Sequence, residues 1–376
     1  MDICIITYKY PGKHNTSEYA FVKQLVDAIA QLGHCCHVIA PFNISHYHRL
    51  SESREFYRQG DGSVTVYRPG YLSFSNFHIG KFYPSKWLHH RALDKAFRQL
   101  QLLPDVIYCH FWNSGYIGYQ YAKQKNIPLF VASGESEIKA LFTPKLDSKQ
   151  FGDYVKGVIC VSTKNKNESI QMGLTVEEKC LVYPNSVNTS LFYKRDREES
   201  RKQLGLPDNV FIVAFVGWFN ERKGSVRVAK AIERIEGEDI YSIFIGKGDQ
   251  EPECKNILFK GVLQHDQVPL YLNAADVFVL PTLHEGCCNA VVEAMACGLP
   301  IVSSNRPFNW DVLDETNSIM IDPTNLDEIA NAIKVLRDDK TMTQRLSCGA
   351  LKKAEQLTIE KRAEAVISFI EEKIKK

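Results

Sequence analysis

Two glutamates flanking a short run of small polar residues make the stretch of this chain best suited to chemistry. Between Val279 and Ser304 the sequence reads VLPTLHEGCCNAVVEAMACGLPIVSS, with Glu285 in a turn-forming stretch and Glu293 eight residues later. Gly286, Cys287, Cys288 and Asn289 lie between them, at the start of a helix-periodic segment. A helix beginning there offers free backbone N–H groups and the positive end of its dipole, which suits phosphate. Carboxylates at the same place would repel phosphate but accept hydrogen bonds from hydroxyls. The set therefore suits a ligand carrying both, such as a sugar nucleotide. Two glutamates at this spacing also occur by chance as solvated side chains, so the weight rests on the whole string.

The elements that must position these groups are legible around them. Val277, Phe278, Val279 and Leu280 form an apolar run, as in a strand buried on both faces, and Pro281 and Thr282 end it. Asn289 reads as an N-cap, and Val291, Val292, Met295 and Ala296 give the helix one apolar face. Gly298 and Pro300 stop it before a strand that begins at Ile301. In a parallel α/β sheet the end carrying Glu285 and Glu293 faces the ligand crevice.

A second stretch has a related character. The apolar strand Val210 to Val216 leads into Gly217, Trp218, Phe219, Asn220, Glu221, Arg222, Lys223 and Gly224, and then a helix bearing Val226, Ala229 and Ile232. A lysine at a helix start opposes the dipole, so an anion-binding role for Lys223 explains it better than an idle surface position.

Composition bounds the class. The chain has 376 residues, 44% hydrophobic and 24% charged, with a net charge of +2. That length favours more than one domain, and the charge gives no general attraction to nucleic acid. No stretch approaches the roughly 20 apolar residues of a membrane span. The segment MDICIITYKYPG reads as a first strand and makes a poor signal peptide, so a cytoplasmic setting is expected. The eleven cysteines form no Cys-x-x-Cys pair and read as reduced, packed thiols. There is no Asp-x-Asp pair and no His-rich cluster, so neither a metal nor any other cofactor is expected.

The string Glu285, Gly286, Cys287, Cys288, Asn289, Glu293 to Gly298 and Pro300 resembles the donor-site signature of family 4 retaining glycosyltransferases. Cys287 stands where that family usually has Phe. The resemblance implies that Glu285 meets the donor-sugar hydroxyls and Glu293 the nucleotide ribose. It places Lys223 on the donor diphosphate, but Trp218 stands where the family has its second cation, leaving Arg222 as the substitute. Gly217, Gly286, Cys287, Cys288 and Asn289 complete the expected donor site.

The first half fits the same resemblance. FVKQLVDAIAQLGH is similar to the family's first helix, and the loop before it keeps Gly12 of a usual Gly-Gly pair, with Lys13 as a neighbouring alternative. PDVIYCHF matches a family strand and makes His110 a catalytic candidate. Ser133 replaces a usual cleft histidine, and Ser133 and Glu135 are the candidates on the acceptor side. Residues 44–100 read as irregular and aromatic. Within them the 77–98 segment interleaves Lys81, Lys86, His89, His90, Arg91, Lys95 and Arg98 with Phe77, Phe82, Tyr83 and Trp87. That is a loop and solvated helix, or a patch for anionic lipid headgroups at the cytoplasmic membrane face.

The fold implied is α/β, two doubly wound parallel-sheet Rossmann-like domains facing a central cleft, of GT-B type. The expected domains are 1–190, acceptor-binding, with helix 356–376 crossing back to it, and 191–355, binding the nucleotide-sugar donor. The expected partners are a nucleotide sugar and a saccharide or lipid-linked saccharide acceptor. Alternatives are a sugar-nucleotide epimerase of similar fold, a catalytically impaired binding homologue, and a starch- or glycogen-synthase-like enzyme.

Overall fold

The computed structural model describes residues 1–12, 19–44, 52–74, 77–80, 83–100, 102–138, 148–237 and 239–375. Lys13, Lys81 and Phe82 fall outside them, as do the side chains of Lys86 and His90. The chain divides into two compact units, Met1–Val161 with Asn165–Tyr183 and Glu360–Lys376, and Ser162–Lys164 with Pro184–Ile359.

In the first unit the elements run β1 (Asp2–Ile6), α1 (Ala20–Gln31), β2 (Cys35–Ile39), β3 (Phe42–Asn43), β4 (Arg54–Gln59), β5 (Gly62–Tyr67), β6 (Gly70–Tyr71), α2 (Pro84–Gln99), β7 (Val106–His110), α3 (Trp112–Lys125), β8 (Leu129–Ser133), α4 (Ser148–Tyr154), β9 (Val155–Cys160), α5 (Thr163–Gln171) and β10 (Cys180–Val182). One sheet has the order β10-β9-β8-β7-β1-β2-β5-β4. Its pairings are parallel except β4 against β5. β7 and β8 are buried along their whole length, which is why they read as continuous apolar runs rather than alternating ones.

The described part of residues 44–100 is more regular than the sequence suggested. It holds the β4–β5 hairpin, whose register closes at Gln59 opposite Gly62. Gly60 supplies the left-handed φ of 57° in the two-residue loop. β4, REFYRQ, is an edge strand alternating exposed and half-buried residues, so it lacks the apolar run that announces a central strand. β3 and β6 pair as a small separate sheet. α2 buries Ala92, Leu93, Ala96 and Phe97 and exposes Trp87, Arg91, Asp94, Lys95 and Arg98.

The second unit runs α6 (Arg197–Leu204), β11 (Phe211–Val216), α7 (Ser225–Glu233), β12 (Ile240–Ile245), β13 (Ile257–Gly261), α8 (Val268–Ala274), β14 (Val277–Leu280), α9 (Asn289–Ala296), β15 (Ile301–Ser304), β16 (Ser318–Ile321), α10 (Leu326–Asp338) and α11 (Lys340–Ala354). Its sheet is wholly parallel, in the order β13-β12-β11-β14-β15-β16. The strand order reverses between β11 and β14, and such a switch point opens a crevice at the carboxyl ends of the strands. At the opposite ends of the same two strands, buried Asp276 accepts hydrogen bonds from Ile212 N at 2.7 Å and Arg201 Nη2 at 2.6 Å.

The last helix, α12 (Ile359–Lys375), belongs from Glu360 onward to the first unit. Its Arg362 donates to Tyr183 O at 2.6 Å and its Lys373 to Glu178 O at 2.7 Å. Phe369 lies so close to β9 that a Cβ on Gly157 would stand 2.6 Å from its ring.

Candidate active site

The second unit gathers its chemistry at the switch point. The loop after β11 and the loop after β14 are sewn together by backbone and by charge. Gly224 takes φ 82°, and a Cβ there would come within 2.9 Å of Pro281 O. Only glycine combines that conformation with so close an approach. Leu283 N donates to Arg222 O at 2.8 Å. Both cations of the first loop are thus delivered to the carboxylate of the second. Lys223 Nζ stands 2.6 Å from Glu285 Oε1, and Arg222 Nη1 pairs with the same oxygen while donating to His284 O at 2.9 Å. The Thr282 hydroxyl lies 3.4 Å from that oxygen.

This cluster is sheltered unequally. The side chains of Lys223 and Glu285 are 11% and 12% exposed, that of Arg222 35%. Burial works against the Lys223 charge, but the Cys288 sulfur, 3.4 Å away, and the Glu285 carboxylate outweigh it, and the net shift is upward. Burial pushes the Cys288 thiol up as well.

α9 begins one residue earlier than the capping pattern indicates. Cys288, with φ −85° and ψ 116°, is the N-cap, and Asn289 is already helical. The correction has a chemical consequence, because the Asn289 side chain makes no cap bond and its Oδ1 is buried without a hydrogen-bond partner. Glu293 follows one turn on. Its Oε1 lies 2.9 Å from His265 Nε2. Burial lowers the His265 pKa, but the Glu293 hydrogen bond and charge turn the net shift upward. Gly286, Cys287 and Cys288 are buried, and Asn185 Nδ2 donates to Cys287 O at 2.9 Å, fixing the turn.

Gly217 begins the first loop, and its carbonyl packs where a Cβ on Gly246 would stand 1.9 Å away. Gly248 is held as tightly, with its Cβ position 2.0 Å from Phe219 O. Trp218, at the position of the missing second cation, is 55% exposed, and Lys247 Nζ sits 5.6 Å from its ring centre. The sequence reading missed His265, Asn185 and Lys247 as parts of this site. Each lies in a loop, outside the apolar runs that mark the strands and helices.

In the first unit the sheet switches direction between β1 and β7, the strands that lead to Gly12 and His110. Gly12 is half-buried, and its neighbour Pro11 accepts from Arg68 Nη2 at 2.8 Å. His110 is 4% exposed, with its ring 5.1 Å from that of Tyr108 and its Nε2 buried without a partner. Burial and then the Arg362 charge lower its pKa to about 3, so it is a neutral imidazole. Ser133, expected on the acceptor side, is fully buried. Its hydroxyl accepts from Trp112 Nε1 at 3.1 Å and meets Ser169 Oγ at 3.3 Å. It braces α3 and α5 rather than presenting itself to a ligand. Glu135 accepts from Trp112 N at 2.7 Å and Gly134 N at 3.0 Å, satisfying the start of α3. Burial outweighs these bonds and raises its pKa to about 6.

Among the described residues no group of three or more His, Cys, Asp or Glu could hold a metal ion, and no helix is long and apolar enough to cross a membrane.

Comparison with known proteins agrees with this geometry. The family description "Glycosyltransferase Family 4" matches residues 20–191, and "Glycosyl transferases group 1" matches residues 196–353. A Bacillus subtilis (strain 168) protein named as the teichuronic acid biosynthesis glycosyltransferase TuaC is 27% identical, over 89% of this chain and 88% of its own. An Escherichia coli UDP-Gal:alpha-D-GlcNAc-diphosphoundecaprenol alpha-1,3-galactosyltransferase is 27% identical over 63% of this chain and 67% of its own. Among solved structures, sucrose-phosphate synthase from Thermosynechococcus elongatus superposes with a TM-score of 0.79 at 19% identity, covering 99% of this chain and 98% of that one. Anabaena HepE in complex with UDP and glucose gives 0.69 at 18%, covering 98% and 99%. These structures share the fold, two parallel-sheet α/β domains of GT-B type.

Proposed function

This chain belongs to the glycosyltransferases, its Family 4 domain preceding its group 1 domain, and we propose that it moves a sugar from a nucleotide sugar to an acceptor hydroxyl with retention at the anomeric carbon. The observation that carries this reading is the convergence of Lys223 and Arg222 on Glu285 at the switch point, beside the unpartnered Asn289 and the His265–Glu293 pair. Cations next to a carboxylate suit a ligand that is anionic at one end and hydroxylated at the other.

In this reading the diphosphate lies against Lys223, Arg222 and the first turn of α9, and Glu285 accepts from the sugar hydroxyls. Glu293, oriented by His265, accepts from the ribose. The bond from the anomeric carbon to the phosphate oxygen breaks, and its electron pair leaves with the diphosphate. The acceptor oxygen bonds to the same face of the anomeric carbon, and its proton passes to the departing phosphate oxygen. Fixed positive charge where negative charge develops supplies the main rate enhancement, so the cations take the role a metal has elsewhere.

The second unit is the donor-binding domain and the first the acceptor-binding one in this proposal. A UDP-linked donor is favoured over a GDP-linked one, supported by the UDP in the HepE structure and by the name of the Escherichia coli relative. The acceptor is a saccharide of a surface polysaccharide or its lipid carrier, supported by the names of both relatives. Peripheral membrane contact through the 77–98 segment is supported by the exposure of Phe77, Ile79 and Trp87 beside Arg91, Lys95 and Arg98.

The test is a thermal-melt screen of nucleotide sugars. A bound donor at a hundred times its Kd adds about 2.7 kcal/mol, or roughly 5–10 °C in Tm for a domain of this size. UDP-sugars are expected to give that shift. A screen without any stabilising nucleotide sugar overturns the reading, and isomerisation of the donor without acceptor would replace it with an epimerase.

A further inference from the structure

A groove in the first unit is built for an anion that the donor site does not account for. It encloses about 510 Å³ at the carboxyl end of β5 and is lined by Arg54, Tyr67, Arg68, Lys95 and Arg98, with no carboxylate in its wall. A smaller cavity adjoins it, sharing Lys95 and Arg98 and adding Arg91 and Asp94. Four cations around one cavity repel one another, and an anion bound among them would relieve that repulsion beyond what Glu55 does for Arg68.

Arg68 and Arg54 are held in place, while Lys95 and Arg98 are exposed on α2. Arg68 is 7% exposed, its Nη2 bonded to Glu55 at 2.9 Å and Pro11 O at 2.8 Å, and its Nη1 to Glu52 O at 3.4 Å. Its Nε is buried without a hydrogen-bond partner. Glu55 offsets part of the Arg68 charge, and Asp94 lies in the adjoining cavity. Arg54 sits 5.5 Å over the Tyr67 ring.

The helix α2 gives the groove a direction. Trp87, Arg91, Lys95 and Arg98 are spaced by four, four and three residues and share one exposed stripe. The start of α2 is tied to the stretch that carries Phe74, Phe77 and Ile79, since Phe74 N donates to Ser85 Oγ at 2.7 Å and the His78 ring lies 5.2 Å from that of Tyr83, and Arg91 stacks on Trp87 at 4.6 Å. From Trp87 to Arg98 the stripe is about 16 Å long, at 1.5 Å per residue. It begins aromatic and ends cationic inside the groove, so one molecule with an apolar tail and an anionic head matches it along its length.

We infer that the Arg54–Arg68–Lys95–Arg98 groove binds the phosphate or diphosphate of a lipid-linked acceptor, with the lipid lying over Trp87 and the exposed Phe74, Phe77 and Ile79. This rests on the glycosyltransferase reading and narrows it, because it assigns the acceptor an anionic, lipid-bearing anchor next to its sugar.

The test uses the full chain saturated with UDP, so that the donor site is filled, and farnesyl diphosphate as the probe. Calorimetry is expected to detect one binding event. A Lys95→Glu/Arg98→Glu double variant, changed only at exposed positions, is expected to bind the probe about 10–100-fold more weakly or beyond detection, since each charge-assisted bond to phosphate is a large term. Its UDP affinity and melting temperature should not change. Unaltered probe affinity in the double variant overturns the inference. So does a variant that keeps the probe but loses co-sedimentation with vesicles of phosphatidylcholine and phosphatidylglycerol, which would make the groove a site for bulk headgroups. A wild-type chain that binds the probe but no nucleotide would sink the donor assignment while leaving the groove standing.

Discussion

Replacing Lys223 by alanine should cut turnover far more than replacing its neighbour Arg222. Both cations reach Glu285 Oε1, but the Lys223 side chain is 11% exposed and that of Arg222 35%. A unit charge about 4 Å from a phosphate oxygen contributes about 4 kcal/mol at an effective dielectric of 20 and about 1 kcal/mol in water. Lys223 belongs near the first limit and Arg222 nearer the second. Only the part of that interaction that grows as the diphosphate departs affects the rate, and loss of one preorganised donor typically costs about 10²–10³ in turnover. The expectation is that range for Lys223→Ala and roughly tenfold for Arg222→Ala, again scaled by the dielectric. UDP release from the donor found in the melt screen, measured with and without acceptor, gives the rates. Thermal melts show whether Glu285, left with Arg222 and Thr282, still sits in a folded loop. A larger loss for Arg222→Ala, with both variants folded, would refute this and place the acting charge on the more exposed side chain.

Glu293→Gln should weaken UDP binding by about tenfold while leaving the melt unchanged, because a charged acceptor becomes neutral at one hydrogen bond; equal calorimetric affinities would count against the ribose role. Treatment with EDTA should leave transfer intact, and activity lost to EDTA and restored by magnesium or manganese would show that the cations do not suffice. Glu135 should make the fold pH-sensitive: burial raises its pKa from 4.5 to about 6, so its contribution is fullest below pH 4.5 and is lost as pH rises through 6. That is about 2 kcal/mol, and Glu135→Gln should flatten the dependence of Tm on pH between 4 and 7. Binding to vesicles at low salt should require anionic lipid, and binding indifferent to lipid charge would return the 77–98 stripe to a solvated helix.

The central strands and their helices were legible because burial leaves a simple signature. β14, α9 and β15 fall where Pro281, Gly298 and Pro300 punctuate the apolar runs. Residues whose partners are distant in sequence were not legible. His265 meets Glu293 across a loop, and nothing local marks a histidine as a carboxylate's partner. Ser133 looked like a polar group at a strand end, but Trp112, itself buried, claims its hydroxyl. Asn289 has the right side chain for a cap, yet the backbone turns helical one residue too early for it to act as one. The β4–β5 hairpin was hidden because an edge strand facing water on one side carries charged residues at alternate places.

The route of the chain, from the first unit through the second and back by α12, also fixes the order in which the molecule can be finished. Gly157 has no side chain because Phe369 must lie against it, and Arg362 and Lys373 bond to Tyr183 and Glu178. Those partners leave the ribosome some two hundred residues after the strands they cover. At about 5–20 residues per second, the β9–β10 end of the opening sheet waits tens of seconds for the helix that packs against it. The Pro184–Ile359 unit, whose sheet is contiguous in sequence, is complete before α12 is made. The half of the protein synthesised first is therefore the half that matures last. A fragment cut at Tyr183 should expose apolar surface and aggregate, unless residues 360–376 are supplied alongside it.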